Sequence, residues 1–300
     1  MNKAREGSTL ARAQRRAAWL FLAPGLLALA AVGLYPLLDT FRLSFTDAFR
    51  GDPDPARWVG FAHYRALLAD GAFREAVRNT VVFATASVAL EFLLGLGIAL
   101  LLAREFRGRA FMRTAMLIPW ALPTVVAARL WAWMFNDVFG VVNDLLHTRL
   151  GLLPEPLAWT ATPGLAMAAI IAVDVWKTTP FMALLLLAGL QLIPRELYEA
   201  ARVDGASRWQ QFRAVTLPLL KPAILVALIF RTLDALRVFD VIWVMTAGKF
   251  GTESLATYTY RQTMAFNRLG YGAAASVLVF LIIALFTAAY VTVLRVDRDR

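Results

Sequence analysis

The sequence predicts an all-α integral membrane protein with six transmembrane helices. Of its 300 residues, 59% are hydrophobic and only 17% are charged, and the mean hydropathy is +0.59. These values lie outside the usual range of soluble domains. About 20 helical residues, at about 1.5 Å each, cover a hydrocarbon core of about 30 Å. Six apolar runs reach that length, at 17–38, 79–103, 114–135, 164–193, 219–246 and 273–294.

The first apolar run follows a basic stretch, as the core of a cleaved signal peptide does. Its apolar part is too long for that role, and no small-residue cleavage site follows it. Five further runs come after it. We therefore expect a membrane span preceded by an N-terminal tail, residues 1–16.

The distribution of charge predicts the orientation of the spans. Three connecting segments on one side of the predicted membrane have a net charge of zero. Because positive charge is retained on the cytoplasmic side, the opposite side, with a net charge of +10, is predicted to be cytoplasmic and to hold both termini. Its segments are 1–16, 104–113, 194–221 and 295–300.

The high isoelectric point, near 10.5, also raises the possibility of nucleic-acid binding. The basic residues flank the spans, however, as anchors to anionic lipid do, and no nucleic-acid motif accompanies them. Membrane lipid is therefore the expected partner of these residues, and nucleic acid is not. The chain has no cysteine, and its two histidines, His63 and His147, lie far apart, so we predict no metal site.

Residues 194–218 form a polar loop between the fourth and fifth apolar runs. The composition of 196–203 predicts a short helix, and Gly205 can supply a turn because glycine takes positive φ. Ser207 is a suitable N-cap for a second helix, which Pro218 would end before the fifth span. On composition alone, this helix–turn–helix could either dock on a soluble partner or pack on its own spans.

The order of residues in this loop is more specific than its composition. Its fixed positions are Glu199, Ala200, Ala201, Asp204, Gly205 and Ala206, followed by Phe212 and Leu217-Pro218. This order resembles the cytoplasmic signature of the permeases of ABC importers. In that family the loop is a coupling helix that lies in a cleft on the ATP-binding subunit. The resemblance implies that the residues from Glu199 to Phe212 named here dock on an ATPase.

Other stretches narrow the resemblance to the permeases of carbohydrate importers of the maltose and trehalose type. They are Leu117–Pro123, Trp176 with Pro180-Phe181, and Phe239-Asp240 with Thr246. One departure is visible after Thr246, where that family commonly has a Gly-Gly-Pro turn and this chain has Ala247-Gly248-Lys249.

The chain contains no Gly-x-x-x-x-Gly-Lys-Ser/Thr loop for binding phosphates. We therefore expect no enzymatic activity in this chain, and ATP and Mg²⁺ on a separate ATPase. The resemblance implies an assembly of this chain with a second homologous permease, an ATPase dimer and an extracytoplasmic sugar-binding protein. It also implies a bacterial or archaeal plasma membrane, with residues 17–294 forming the membrane domain.

Apart from Lys221, which is counted with the segment 194–221, eight charged residues lie within the predicted spans. Each costs about 2.5–3.5 kcal/mol at the centre of a lipid-facing helix, so they are expected to face protein or a wet cavity. Two interpretations remain open, namely ion pairing along and between helices and contact with a substrate. The residues are Glu91, Arg129, Asp174, Lys177, Arg231, Asp234, Arg237 and Asp240.

The fourth and fifth spans bring polar and aromatic residues to the same depth near the middle of the membrane. A sugar needs polar partners for its hydroxyls and an aromatic face for its C–H surface. The resemblance also places a sugar site in this zone. The predicted substrate pathway consists of Lys177, Thr178, Phe181, Arg231, Asp234, Ala235 and Val238.

The sequence thus predicts a permease subunit of an ATP-driven importer for a small carbohydrate, with a disaccharide such as maltose or trehalose expected. One alternative is an ion-coupled secondary transporter with Asp174, Asp234 or Asp240 as a proton or cation relay, although the internal repeats common in that class are not evident. Another is a membrane enzyme acting on lipid-linked sugar. Such an enzyme would need acidic or histidine residues clustered in an interfacial loop, and here they are scattered.

Overall fold

The backbone of residues 3–296 is described by a computed structural model, with side chains described for 14–289 and for 292. The predicted terminal tails therefore lie partly outside the described residues. The described part of the chain is built from helices, with an isolated β-bridge between Thr46 and Trp58.

The first predicted span is a nearly continuous helix. It consists of α1 (Lys3–Leu29), a π-helical turn (Ala30–Leu34) and α2 (Tyr35–Leu43). A short helix, α3 (Ala62–Ala69), then leads to α4 (Gly71–Ala103), which contains the second span. The Asp70 carboxylate caps α4 by accepting from the Ala72 N–H at 2.8 Å, which fixes where this long helix begins.

The third predicted span is two helical segments instead of one straight crossing. The segments are α5 (Arg109–Ala115) with α6 (Ile118–Ala121), and α7 (Thr124–Met134). The helical axis bends by 89° between them, because Pro123 cannot donate a backbone hydrogen bond and forces Leu122 into an extended conformation. The apolar run predicted at 114–135 thus corresponds to a bent pair of helical segments.

The fourth span and the two helices of the loop after it lie where the sequence predicted them. A short helix, α8 (Val141–Asn143), and a π-helical turn (Asp144–Arg149) lead to α9 (Leu165–Gln191), which runs unbroken through Pro180. The loop then forms α10 (Arg195–Val203) and α11 (Arg208–Gln211).

The sequence predicted that the second helix of this loop ends before Pro218. In the structure it does not end there. From Arg208 the chain is helical through a π-helical turn (Phe212–Thr216) into α12 (Leu217–Ala235). Pro218 comes directly after the π-helical turn, as the second residue of α12, and the helix continues through it. The loop helix and the fifth span therefore form one continuous helical segment, Arg208–Ala235.

The fifth predicted span is also broken. After α12 ends, the chain leaves the helix at 236–239 and resumes as α13 (Asp240–Thr246). A short helix, α14 (Leu255–Tyr260), a π-helical turn (Arg261–Ala265) and α15 (Leu269–Val296) complete the chain. The apolar run predicted at 219–246 is therefore interrupted at 236–239, which the sequence did not indicate.

Among the described residues, five helices are long and apolar enough to cross a membrane, or six if the bent pair counts as one span. The predicted fold class, a helical membrane protein with six spans and a helix–turn–helix before the fifth, is confirmed. The long helices are Gln14–Leu43, Gly71–Ala103, Leu165–Gln191, Arg208–Ala235 and Leu269–Ala289.

By Cα distances the described chain divides into two compact units. One comprises the residues up to Leu67 with Gln262–Leu278, and the other comprises Leu68–Arg261 with the residues from Val279 onward. In the second unit, α9 packs against both α4 and α12.

Glycines permit this close packing of α9. A Cβ on Gly95 would lie 3.2 Å from the Ala183 N and closer still to Met182, and one on Gly189 would overlap Ala223. Small residues at these crossings let the helix backbones approach, as is common in membrane bundles.

Ala247, where the resembled family commonly has glycine, adopts a backbone conformation that disfavours alanine. Ala247 ends α13 with φ of +54° and ψ of +27°, in the left-handed region. An alanine there costs about 1 kcal/mol relative to glycine.

We predict that Ala247→Gly raises the thermal stability of the detergent-solubilised chain by about 0.5–1 kcal/mol, measured by thermal unfolding. The matched control is Ala66→Gly on the exposed face of α3, which should lower stability by a similar amount. Equal destabilisation by both changes would contradict the strain assigned to Ala247.

Candidate functional site

A buried cluster of charges joins three helices of the second unit. The Arg231 guanidinium on α12 is 3% exposed and forms ion pairs with Glu91 on α4 and Asp174 on α9. Its Nη2 donates to Glu91 Oε1 at 2.9 Å, and its Nη1 donates to Asp234 Oδ2 at 3.1 Å. Arg231 thus uses the several donors of its planar group on three carboxylates at once.

For three of the charged residues within the spans, this cluster decides between ion pairing and contact with a substrate. Glu91 is fully buried and Asp174 is nearly so, and both face Arg231. Asp174 pairs with Arg231 on a neighbouring helix and not with Lys177, three residues along its own helix. Ion pairing between helices is therefore the observed role of Glu91, Asp174 and Arg231.

A polar cavity of about 210 Å³ opens beside the cluster. Six of the seven predicted pathway residues line it, namely Lys177, Thr178, Arg231, Asp234, Ala235 and Val238. The seventh, Phe181, stacks on the lining residue Trp120 with ring centroids 5.7 Å apart and planes at 13°. The structure brings the predicted residues together, and their role in binding substrate stays a prediction.

Several lining residues were not among those predicted from the sequence. Trp120 lies next to the bend in the third span. The sequence showed the segment Pro119-Trp-Ala-Leu-Pro123 but not which way the indole of Trp120 points. The Lys177 ammonium lies 3.5 Å from the Trp120 carbonyl oxygen. The other unpredicted lining residues are Phe83, Thr124, Asp174, Arg237, Phe239, Asp240 and Val241.

The cavity offers both kinds of contact that a sugar requires. Lys177, Asp234, Arg237 and Asp240 present donors and acceptors, and among the described side chains no carboxylate pairs with Lys177 or Arg237. The aromatic residue Trp120 lines the cavity beside them, with Phe181 stacked on its ring. Polar groups that converge next to an aromatic wall are typical of small-molecule sites.

The broken fifth span contributes backbone as well as side chains to the cavity wall. Val238 and Phe239 lie in the break and line the cavity. Non-helical backbone at membrane depth is tolerated where it lines a cavity or is buried in protein. The position of the break beside the cavity satisfies this condition.

The loop before the fifth span has the predicted helix–turn–helix form. Gly205 adopts φ of +79° at the turn. Ser207 caps α11 in a capping box, in which Gln210 Oε1 accepts from the Ser207 N–H at 2.7 Å. The Tyr198 hydroxyl lies 3.0 Å from Thr216 Oγ1, which ties α10 to the start of the fifth span.

The predicted docking residues lie on one exposed loop. Glu199, Ala200, Asp204 and Gly205 are exposed, and Ala201, Ala206 and Phe212 are half-buried.

Apolar side chains beside them, which were not predicted, are also open to solvent, with Val203 87% and Trp209 67% exposed. Contiguous apolar surface rimmed by polar residues is typical of protein-contact sites, and the docking role of this loop stays a prediction.

The chain is similar to known transport proteins over nearly its whole length. It matches the family described as binding-protein-dependent transport system inner membrane component over residues 63–298. It is 44% identical to the sulfoquinovosyl glycerol transport system permease protein SmoG of Agrobacterium fabrum, over 94% of this chain and 91% of the relative. It is 42% identical to the trehalose/maltose transport system permease protein MalF of Thermococcus litoralis, over 97% of this chain and 98% of the relative.

Solved structures show the same fold. A chain of a bacterial ABC transporter involved in the import of the acidic polysaccharide alginate superposes with a TM-score of 0.83 at 24% identity, over 96% of this chain and 98% of that chain.

We predict that Arg231→Met destabilises the chain by about 3–5 kcal/mol, because it leaves two buried carboxylates without their partner. Thermal unfolding of the purified chain in detergent measures the loss. Arg237→Met, which removes an exposed cation from the same wall, should change stability by less than about 0.5 kcal/mol.

Addition of Glu91→Gln and Asp174→Asn to Arg231→Met should recover much of the stability, because the unpaired charges are then removed. Similar small losses for Arg231→Met and Arg237→Met would contradict the structural role of the cluster.

Proposed function

Since the chain belongs to the family of binding-protein-dependent transport system inner membrane components, we propose that it forms one wall of the path by which an ATP-driven importer takes up a small carbohydrate. The substrate that we propose is a disaccharide such as maltose or trehalose. Family membership confirms the resemblance that the sequence indicated, and the chain is a multi-pass membrane protein that acts as a transport subunit and not as an enzyme.

The proposal that the substrate is a carbohydrate rests on one observation, the cavity beside Arg231. Its wall combines charged side chains that can bind sugar hydroxyls with the aromatic residue Trp120. A trehalose/maltose transport system permease protein is also among the relatives. The cavity's volume of about 210 Å³ is below the roughly 300–1,000 Å³ of complete small-molecule sites. We infer that a second, homologous permease supplies the facing wall.

ATP hydrolysis is assigned to a partner. This sequence lacks a phosphate-binding loop, so ATP and Mg²⁺ would bind to a dimer of ATPase subunits. Glu199, Asp204 and Gly205 lie on the exposed loop that would dock there. Because α11 continues into α12, closure of the ATPase dimer would move the fifth span and the cavity with it.

This arrangement requires a defined orientation. The helix–turn–helix would face the cytoplasm together with both termini, as the positive charge of that side predicts. An extracytoplasmic sugar-binding protein would deliver substrate at the opposite face, in the plasma membrane of a bacterium or an archaeon. The ion-coupled alternative is less favoured, because Asp174 is already held by Arg231 and is not free to act as a relay.

We predict that Gly205→Val or Glu199→Lys abolishes sugar uptake while membrane insertion stays intact. Valine is strained at positive φ, and lysine reverses the charge on the docking surface. Uptake of radiolabelled maltose or trehalose and sugar-stimulated ATP hydrolysis are measured in proteoliposomes that contain all subunits.

The matched control is Gly108→Val. Gly108 has φ of +89° in another exposed loop and, like Gly205, has open space where a Cβ would lie. It should carry the same backbone strain without loss of coupling. Normal coupling in Gly205→Val, or equal loss in both glycine variants, would argue against the docking role.

We predict that Trp120→Ala raises the sugar concentration for half-maximal stimulation of ATP hydrolysis at least tenfold, equivalent to about 1.4 kcal/mol of binding. The physical reason is loss of the aromatic wall of the cavity. Trp133→Ala is the control, because Trp133 is exposed on the same span and contacts Phe139 instead of lining the cavity. Equal shifts in the two variants would remove Trp120 from the sugar site.

A further inference from the structure

The break in the fifth span is held by a residue from outside that span. In a continuous helix the Val238 carbonyl would accept from the N–H four residues later, at Ile242. Here the Ser254 hydroxyl donates to the Val238 carbonyl oxygen at 2.9 Å. Ser254 is fully buried, so this bond is protected from competition by water.

The position of Ser254 is itself fixed by a second set of bonds. As the N-cap of α14 it forms a capping box, in which the Ser254 N–H donates to Thr257 Oγ1 at 2.8 Å and the Thr257 N–H donates back to Ser254 Oγ at 3.2 Å. The Leu255 N–H donates to Thr80 Oγ1 on α4 at 2.9 Å. These bonds hold the backbone at Ser254 in place, and so fix the position of the hydroxyl that donates to Val238.

A second contact joins α14 to the same break. The ring of Phe239 lies 5.2 Å from that of Tyr260, and both pack on Trp243. Phe239 has φ of −134° and ψ of −63°, well away from helical geometry. The beginning and the end of α14 thus contact adjacent residues of the break, and both of those residues line the cavity.

We propose that Ser254 is a positioning residue for substrate recognition. Its hydroxyl replaces the missing backbone hydrogen bond of Val238, keeps the fifth span open at 236–239, and so sets Val238 and Phe239 in the cavity wall. The identity of the ligand as a sugar rests on the proposed function, whereas the mechanical role of Ser254 does not.

The physical reason is that a carbonyl at membrane depth must have a partner. Without the Ser254 hydroxyl, the Val238 carbonyl loses this partner, and Val238 and Phe239 are no longer held in the cavity wall. The bond acts on the cavity through Val238 and makes no contact with substrate itself.

The test compares Ser254→Ala with Thr257→Val in the complete importer. Both changes remove one side of the capping box, but only Ser254→Ala removes the bond to Val238. Hydrogen–deuterium exchange of peptides covering 236–243 is read by mass spectrometry. Sugar-stimulated ATP hydrolysis is read with maltose or trehalose as the probe.

For Ser254→Ala we expect exchange at 236–243 to be about fivefold faster. We also expect half-maximal stimulation of ATP hydrolysis to need about fivefold more sugar. A factor of about five corresponds to the free energy that one buried hydrogen bond contributes. For Thr257→Val we expect both values to stay within about twofold of the unmodified chain. If Ser254→Ala fails to accumulate in the membrane, Ser254→Cys, with nearly the same volume and a weaker donor, is measured with the same criteria.

Equal effects of the two variants, or unchanged exchange in Ser254→Ala, would overturn the proposal. If neither sugar stimulates the unmodified importer, the proposed substrate is wrong, and the exchange measurement alone then decides the role of Ser254.

Discussion

The buried charge of Arg231 is the constraint on which the second unit depends. A guanidinium that is 3% exposed within a membrane domain needs carboxylates around it, and they come from α4, α9 and its own helix. Because breaking a buried ion pair costs far more than a surface pair contributes, the three helices are held in one relative arrangement. The cavity lies beside this cluster, so its shape follows from the same pairing.

The two broken spans have a common consequence for transport. The bend at Pro123 brings Trp120 to the cavity, and the break after Ala235 brings Val238 and Phe239 to it. Irregular backbone in a membrane is stable only where protein or water satisfies it. The continuous rod from Arg208 to Ala235 then connects the exposed loop at one end with the cavity at the other, which gives the proposed coupling a structural route.

Much of the fold and part of the site could be predicted from the sequence, for local reasons. Hydropathy located the apolar runs, Ser207 was recognisable as an N-cap, and the order of residues from Glu199 to Phe212 indicated the family. The break at 236–239 could not be predicted, because it contains neither proline nor glycine and depends on Ser254, sixteen residues away. The partner of Asp174 could not be predicted either, because only the packing of α9 against α12 brings Arg231 beside it.

The most direct test of this account is a cryo-electron microscopy structure of the complete importer in lipid nanodiscs, with maltose or trehalose bound in the membrane domain. We expect sugar density against Trp120 and Lys177, with Arg231 still bridging Glu91 and Asp174 and the fifth span still open at 236–239. Sugar density elsewhere in the membrane domain, with this cavity closed by packed side chains, would contradict the account.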